Sequence, residues 1–176
     1  MRAKLSGEKE LNEEPSLVET QWGKVENFLD NYEIKIGLSG LAGSDISQYL
    51  SLNQDKLRKM SPDECSEAAY MLVQEALYVQ HEINKYQAQM DWAKARINKT
   101  IAPDLNNYGG RFATFETRQI LAIKSNSYAS DLQTVVDKAE KIITRLSYLP
   151  NHLKNLSNVL LDYRHSKQGM NKNEST

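Results

Sequence analysis

The stretch from Ser61 to Ile101 constrains this chain more than any other. Ser61-Pro62-Asp63-Glu64 has the makings of a helix start. A serine hydroxyl can accept a hydrogen bond from a free backbone N–H of the first turn, and Glu64, three residues on, can reach back to the cap. Pro62 stands at the first helical position, where its missing N–H costs nothing. No proline or glycine follows before Pro103. Through the span Cys65, Ala69, Leu72, Ala76, Val79, Ile83, Tyr86, Met90, Ala93 and Ile97 recur at alternating intervals of four and three. That is a heptad seam. A helix of about forty residues is roughly 60 Å long. It is too long to stand alone in a small compact domain and needs a partner along its whole length.

The partner is written further on. Pro103-Asp104-Leu105-Asn106-Asn107-Tyr108-Gly109-Gly110-Arg111-Phe112 reads as a reversal, because Pro103 stops the helix and both Asn-Asn and Gly-Gly permit positive φ. A second seam follows at Leu121, Ser125, Tyr128, Leu132, Val135, Ala139, Ile142, Leu146 and Leu149, and it continues past Pro150 as Leu153, Leu156, Leu160 and Tyr163. Pro150 removes a backbone hydrogen bond, so a kink or one-turn break is expected near Tyr148–Leu149. The expected fold is all-α: a long antiparallel helical hairpin with a kinked or broken C-terminal helix and coiled-coil-like packing. A lone hairpin buries little, so an oligomer is expected too.

The rest of the chain is less periodic. Residues 1–15 are polar and patternless, as in a flexible arm. Residues 16–60 form an acidic N-terminal helical segment. Leu17, Val18, Trp22, Val25, Phe28 and Leu29 suit an amphipathic helix to about Asn31, and Glu33-Ile34-Lys35-Ile36 alternates like a short extended piece. Gly37 to Gly43 reads as a hinge, followed by short helices at about 45–50 and 54–59. The hairpin core occupies 61–168, and 169–176 reads as a disordered tail.

Charge is uneven along the sequence. Residues 1–84 hold 8 Lys/Arg against 15 Asp/Glu, and residues 85–170 hold 13 against 7. Such a split suits an anionic partner for one half, or copies associating basic end to acidic end. The single cysteine, Cys65, excludes an internal disulfide and suits a buried packing residue. The N-terminus lacks a signal-peptide apolar core, and no run is long and apolar enough for a membrane span, so no membrane partner and a cytoplasmic location are expected.

Enzyme signatures are missing. His81, His152 and His165 lack metal-ligand spacing, and no phosphate-cradling glycine loop occurs. Glu67, Glu75 and Glu82 share a helix but are better explained as an exposed acidic face. Neither catalysis nor a cofactor or metal is expected. The end of the first long helix and the reversal carry a different chemistry. Lys94, Arg96, Lys99, Arg111, Arg118 and Lys124 stand against only Asp104 and Glu116, with Trp92, Tyr108, Phe112 and Phe115 interleaved. Cations neutralise phosphates, and aromatic faces stack on unpaired bases regardless of sequence. The candidate nucleic-acid-binding set is therefore Lys94, Arg96, Lys99, Tyr108, Arg111, Arg118 and Lys124. Flanking salt bridges to a neighbouring helix would use the same cations differently.

Within that zone Ala93-Lys94-Ala95-Arg96-Ile97 resembles the Lys-Ala-Arg-Leu motif on the central helix of the phage UvsY-type recombination mediators, with Ile97 in place of leucine. Tyr108-Gly109-Gly110-Arg111 is similar to the family's aromatic-glycine element, though it comes later in the chain. The C-terminal part is similar as well, with a helix opening near Glu116, a long helix to Leu149 and a short one closing with Asp162-Tyr163-Arg164. The resemblance covers roughly residues 62–168 and leaves 1–61 as an extension. It implies a ring-like homo-oligomer that binds single-stranded DNA through Lys94 and Arg96, helps displace the single-strand-binding protein and loads a RecA-like recombinase. A helical virion, adaptor or assembly protein is the competing expectation, since side-by-side hairpins would explain the heptads and the charge split equally.

Overall fold

A computed structural model describes residues 16–38, 40–110 and 112–173, with 169–173 described by backbone alone. The described chain is all-α, and its helices are α1 (Leu17–Lys35), α2 (Ser47–Leu50), α3 (Gln54–Lys59), α4 (Pro62–Ile101), α5 (Phe115–Ser125), α6 (Ser127–Leu146) and α7 (Leu149–Asn173). A single 3₁₀ turn, Leu105–Asn107, lies in the reversal.

The central rod is α4. Its start is the capping box expected from Ser61 and Glu64: the Glu64 N–H donates to the Ser61 hydroxyl at 3.2 Å, and the Ser61 N–H donates to the Glu64 carboxylate at 2.5 Å. Two clusters divide its seam. Met90, Ala93, Ile97 and Ile101 pack with Ala122 of α5, with Ala129, Leu132, Val136 and Ala139 of α6, and with Val18 of α1. Ala68, Ala69, Leu72 and Ala76 pack with Leu153 and Leu160 of α7 and with Ile46. So α6 and α7 run back along α4 in succession, one on each half, and the hairpin is filled within one chain. Buried Ser157 of α7 donates to the Ala69 carbonyl at 3.0 Å, which satisfies a hydroxyl that would be costly to bury unpaired. The expected break beside Pro150 is present: α6 ends at Leu146 and α7 begins at Leu149.

The N-terminal segment lies along a second flank of α4, also antiparallel. Trp22 meets Trp92 with ring centroids 5.6 Å apart, Glu26 and Asp30 each approach Lys85 at 3.9 Å, and Glu33 lies 3.4 Å from His81. Further along, the Ser44 N–H donates to Glu75 at 2.6 Å. At the far end Lys167 of α7 donates to the carbonyls of Leu57 (3.0 Å), Arg58 (2.9 Å) and Met60, the free carbonyls at the C-terminal end of α3. A cation there is well placed against the helix dipole. The reversal also changes how the charge split is laid out. It places the acidic first half of α4 beside α7, which carries Lys154, Arg164 and Lys167, so cations accompany the acids there, while the cations at the end of α4 and on α5 stay together near the hairpin tip.

Four local readings are corrected. Glu33–Lys35 belongs to α1 rather than to an extended piece. The helix continues because nothing stops it before Gly37 (φ +81°), which closes a Schellman motif: the Leu38 N–H donates to Glu33 O at 2.9 Å and the Gly37 N–H to Ile34 O at 3.2 Å. Asn106 and Asn107 do not take positive φ; Gly109 and Gly110 do. The second seam is broken at Asn126, whose side chain accepts from the Ala129 N–H and starts α6 anew. Ala122, Ala129 and Val136 are buried there, whereas Leu121 and Ser125 are exposed. The last helix continues past Gly169 to Asn173, into the stretch read as a tail. Residues 1–15 and 174–176 lie outside the described residues.

Three carboxylates at helix starts or turns sit below the usual carboxylate range. Glu64 is held down by the Ser61 N–H and then its hydroxyl, Asp45 by the Ser47 hydroxyl and then its N–H, and Glu116 by its own N–H and then the Thr114 hydroxyl. Their folded values lie below their unfolded ones, so their contribution is complete above the ordinary carboxylate pKa and is lost as pH falls through the folded values. Thermal melts followed by circular dichroism at 222 nm should therefore show a melting temperature that is level near neutrality and drops once the pH is below about 4. Glu64→Gln should reduce that drop.

Candidate nucleic-acid interface

The candidate residues sit where α4 ends and the chain turns back. Lys94, Arg96 and Lys99 are all exposed on the last turns of α4. At 100° per residue Arg96 stands about 200° round the helix from Lys94 and Lys99 about 140°, so Lys99 lies between them on the face away from the seam. The three form an arc over the outside of the rod instead of one row along it.

The two ends of the arc differ. Lys94 lines a groove of about 240 Å³ between α4, α5 and α6, whose other walls include Asn98, Gln119, Ile123 and Gln133. Across that groove the Gln119 amide donates to Asn98 at 3.2 Å. The Arg96 guanidinium lies 6.0 Å from the centre of the Trp92 ring, on the flank where Trp22 of α1 also packs. Lys124 is exposed at the end of α5. The ion pairs among the described residues are those of His81 and Lys85 with α1, and they leave Lys94, Arg96, Lys99 and Lys124 without a carboxylate partner.

Two candidates are placed in structural roles. Tyr108 is partly buried against the cluster of α4, α5 and α6 and so closes the hairpin tip. Arg118 is folded over the reversal and donates to the Gly110 carbonyl at 3.3 Å, with its Nε buried and without a partner. Arg111 lies outside the described residues. The aromatic ring offered to solvent at the tip is Phe112, 94 % exposed, with Phe115 on the first turn of α5 beside it, 62 % exposed. Both were visible in the sequence as aromatics, but no periodic signal marks which aromatic of a reversal faces outward. The polar groove residues Asn98, Gln119 and Gln133 had no sequence signal.

No group of His, Cys, Asp and Glu side chains among the described residues is arranged to hold a metal ion. No helix among them is long and apolar enough to cross a membrane. No family model, curated protein or solved structure matches the chain.

Proposed function

We propose that this protein is a non-catalytic single-stranded DNA-binding protein that acts as a recombination mediator. It would load a RecA-like recombinase onto a strand covered by single-strand-binding protein. The observation that carries the DNA-binding part is the arc of exposed cations without carboxylate partners, Lys94, Lys99 and Arg96, at the end of a rigid rod, with Lys124 and the exposed Phe112 nearby. A strand crossing the last turns of α4 would meet the three cations in succession, and an unpaired base could stack on Phe112. The polarised sides of the contact are simple: cations take phosphates, releasing counterions, and nothing reads base edges. The recombinase and the single-strand-binding protein enter through the resemblance of Lys94-Ala95-Arg96-Ile97 and its flanks to the UvsY-type mediators. Several copies, each gripping a few phosphates, would hold an extended strand by avidity.

A second reading, a helical assembly component, is favoured by exposed apolar side chains: Phe28, Tyr32 and Ile34 on α1, and Tyr70 and Leu77 on α4. The two readings part at one variant. Lys94→Ala with Arg96→Ala should weaken binding to oligo-dT about tenfold, and should flatten the slope of log K against log salt by about 1.4, at about 0.7 per lost single-strand phosphate contact. Since both side chains are exposed, the melting temperature should stay nearly unchanged. Undiminished binding by the double variant would remove these residues from the site.

A further inference from the structure

In the proposed crossing, a strand that has passed Lys94 and Lys99 and reached Arg96 next meets α1. What α1 covers there has the same chemistry as the arc itself. Lys85 lies about three turns before Arg96 on the same side of α4, and between them is the indole of Trp92. On that flank α1 puts carboxylates where phosphates would go, with Glu26 and Asp30 each 3.9 Å from Lys85. It also puts an aromatic ring where a base would go, with Trp22 tilted 57° against Trp92 at 5.6 Å.

The seating of α1 is poor for a structural helix. Of its 19 residues only Val18 and Trp22 are buried. Phe28, Tyr32 and Ile34 remain exposed and contribute nothing to holding it down. A cleft of about 270 Å³ stays open between it and α4, walled by Trp22, Glu26, Glu82, Lys85, Tyr86 and Gln89. The Trp92 indole N–H is buried without an acceptor, a cost that a well-fitted neighbour would remove. Beyond these, one hydrogen bond ties α1 to α6, from the Tyr128 hydroxyl to the Gln21 side-chain carbonyl at 2.7 Å, and the ion pairs to α4, at 3.4–3.9 Å, are partly solvated and of the kind worth least. Gly37, at φ +81°, ends the helix, and Gly40 and Gly43 follow in the link to α2.

We propose that the α4 flank formed by Lys85, Trp92 and Arg96 is a second single-strand-binding surface, which α1 occupies as a displaceable acidic stand-in for the strand. This rests on the single-strand-binding reading above and adds to it a named stacking residue, Trp92, a further phosphate contact, Lys85, and a latch. Displacement of α1 lengthens the path over the rod from the arc to the whole flank. It also gives the buried indole N–H access to a phosphate or base acceptor.

The test compares three full-length proteins by fluorescence anisotropy with labelled oligo-dT at several salt concentrations. These are the wild type, the α1 variant Glu26→Gln/Asp30→Asn/Glu33→Gln, and a control with equal charge change at the other end, Asp55→Asn/Glu67→Gln/Asp162→Asn. The α1 variant should bind at least about threefold tighter than both, with a salt slope steeper than wild type by about 0.7 for each cation released. Beside it, in Trp22→Phe protein, where Trp92 is the only tryptophan, saturating oligo-dT should quench the tryptophan emission. Wild-type binding with no gain in the α1 variant, an equal gain in the control, or unquenched Trp92 emission at saturation would overturn the latch and leave the arc standing. Absence of binding by both wild type and α1 variant at low salt would overturn the strand-binding reading and the latch together.

Discussion

Leu72→Ala and Leu132→Ala should each lower stability by about 2–5 kcal/mol, the range for emptying a closed core position. For a chain of this size that moves the melting temperature by roughly 10 °C. Both side chains are fully buried, and they belong to different clusters, Leu72 where α4 meets α7 and Leu132 where α6 meets α4. Leu72 packs with Leu153 and Leu160 as well as with Ala68, Ala69 and Ala76, and Leu132 with Met90, Ile97 and Val136 as well as with Ala93, Ala129 and Ala139, so each truncation removes contacts to several helices at once. Because the clusters share α4 but no side chain, the two losses should add in the double variant to within about 0.5 kcal/mol. Urea unfolding at 25 °C measures both quantities. A loss below about 1 kcal/mol at either site would mean that the seam is not packed as described.

The second large effect lies at the hairpin tip. Gly109→Ala should cost about 2–3 kcal/mol, whereas Gly110→Ala should cost about 1–2 kcal/mol, the left-handed backbone penalty alone. Both glycines have positive φ, +84° and +60°. They differ in surroundings. A Cβ on Gly109 would fall 2.6 Å from the Ala113 Cβ and 3.3 Å from the Arg118 Cγ, while one on Gly110 would meet nothing within 4 Å. The variant at Gly109 must also push Arg118 away from the Gly110 carbonyl it caps. The difference between two adjacent glycines, read in the same urea titration, isolates the steric part. Equal costs would show that the turn relaxes freely.

The rod was legible because its signals agreed: a capping box, a proline at the first position, forty residues without a breaker, and one seam. Each of these signals is local or periodic, which is the kind a sequence displays. The return path was legible in outline, down to the break before Pro150, but its register was not. The pattern Leu121, Ser125, Tyr128 runs straight through Asn126, where the cap on Ala129 restarts the helix and turns Ala122 and Ala129 inward. A seam traced through the larger apolar residues passes over alanines, and those are the residues that allow close helix packing. The alternation at 33–36 misled for the opposite reason. Four residues of period two cannot outweigh a helix already nucleated at Ser16 and not stopped before Gly37.

At the candidate site the sequence named the cations but could not arrange them. Lys94 and Arg96, two apart, point to different flanks by helical geometry alone, and Lys99 bridges them on the outer face. That Tyr108 turns inward and Phe112 outward, and that Arg118 is spent on the Gly110 carbonyl, depends on how the reversal closes. The packing of α1 on Trp92 is a contact between residues seventy apart, with no local signal in either partner.

The most direct measurement is an anisotropy titration of the wild-type protein against labelled oligo-dT and against a duplex of equal length, over a series of salt concentrations. The arc of exposed cations predicts binding that favours the single strand and weakens steeply with salt, with a log–log slope of about −2 or beyond for three or more phosphate contacts. No binding at low salt, or binding indifferent to salt, would contradict it and leave the helical assembly reading in its place.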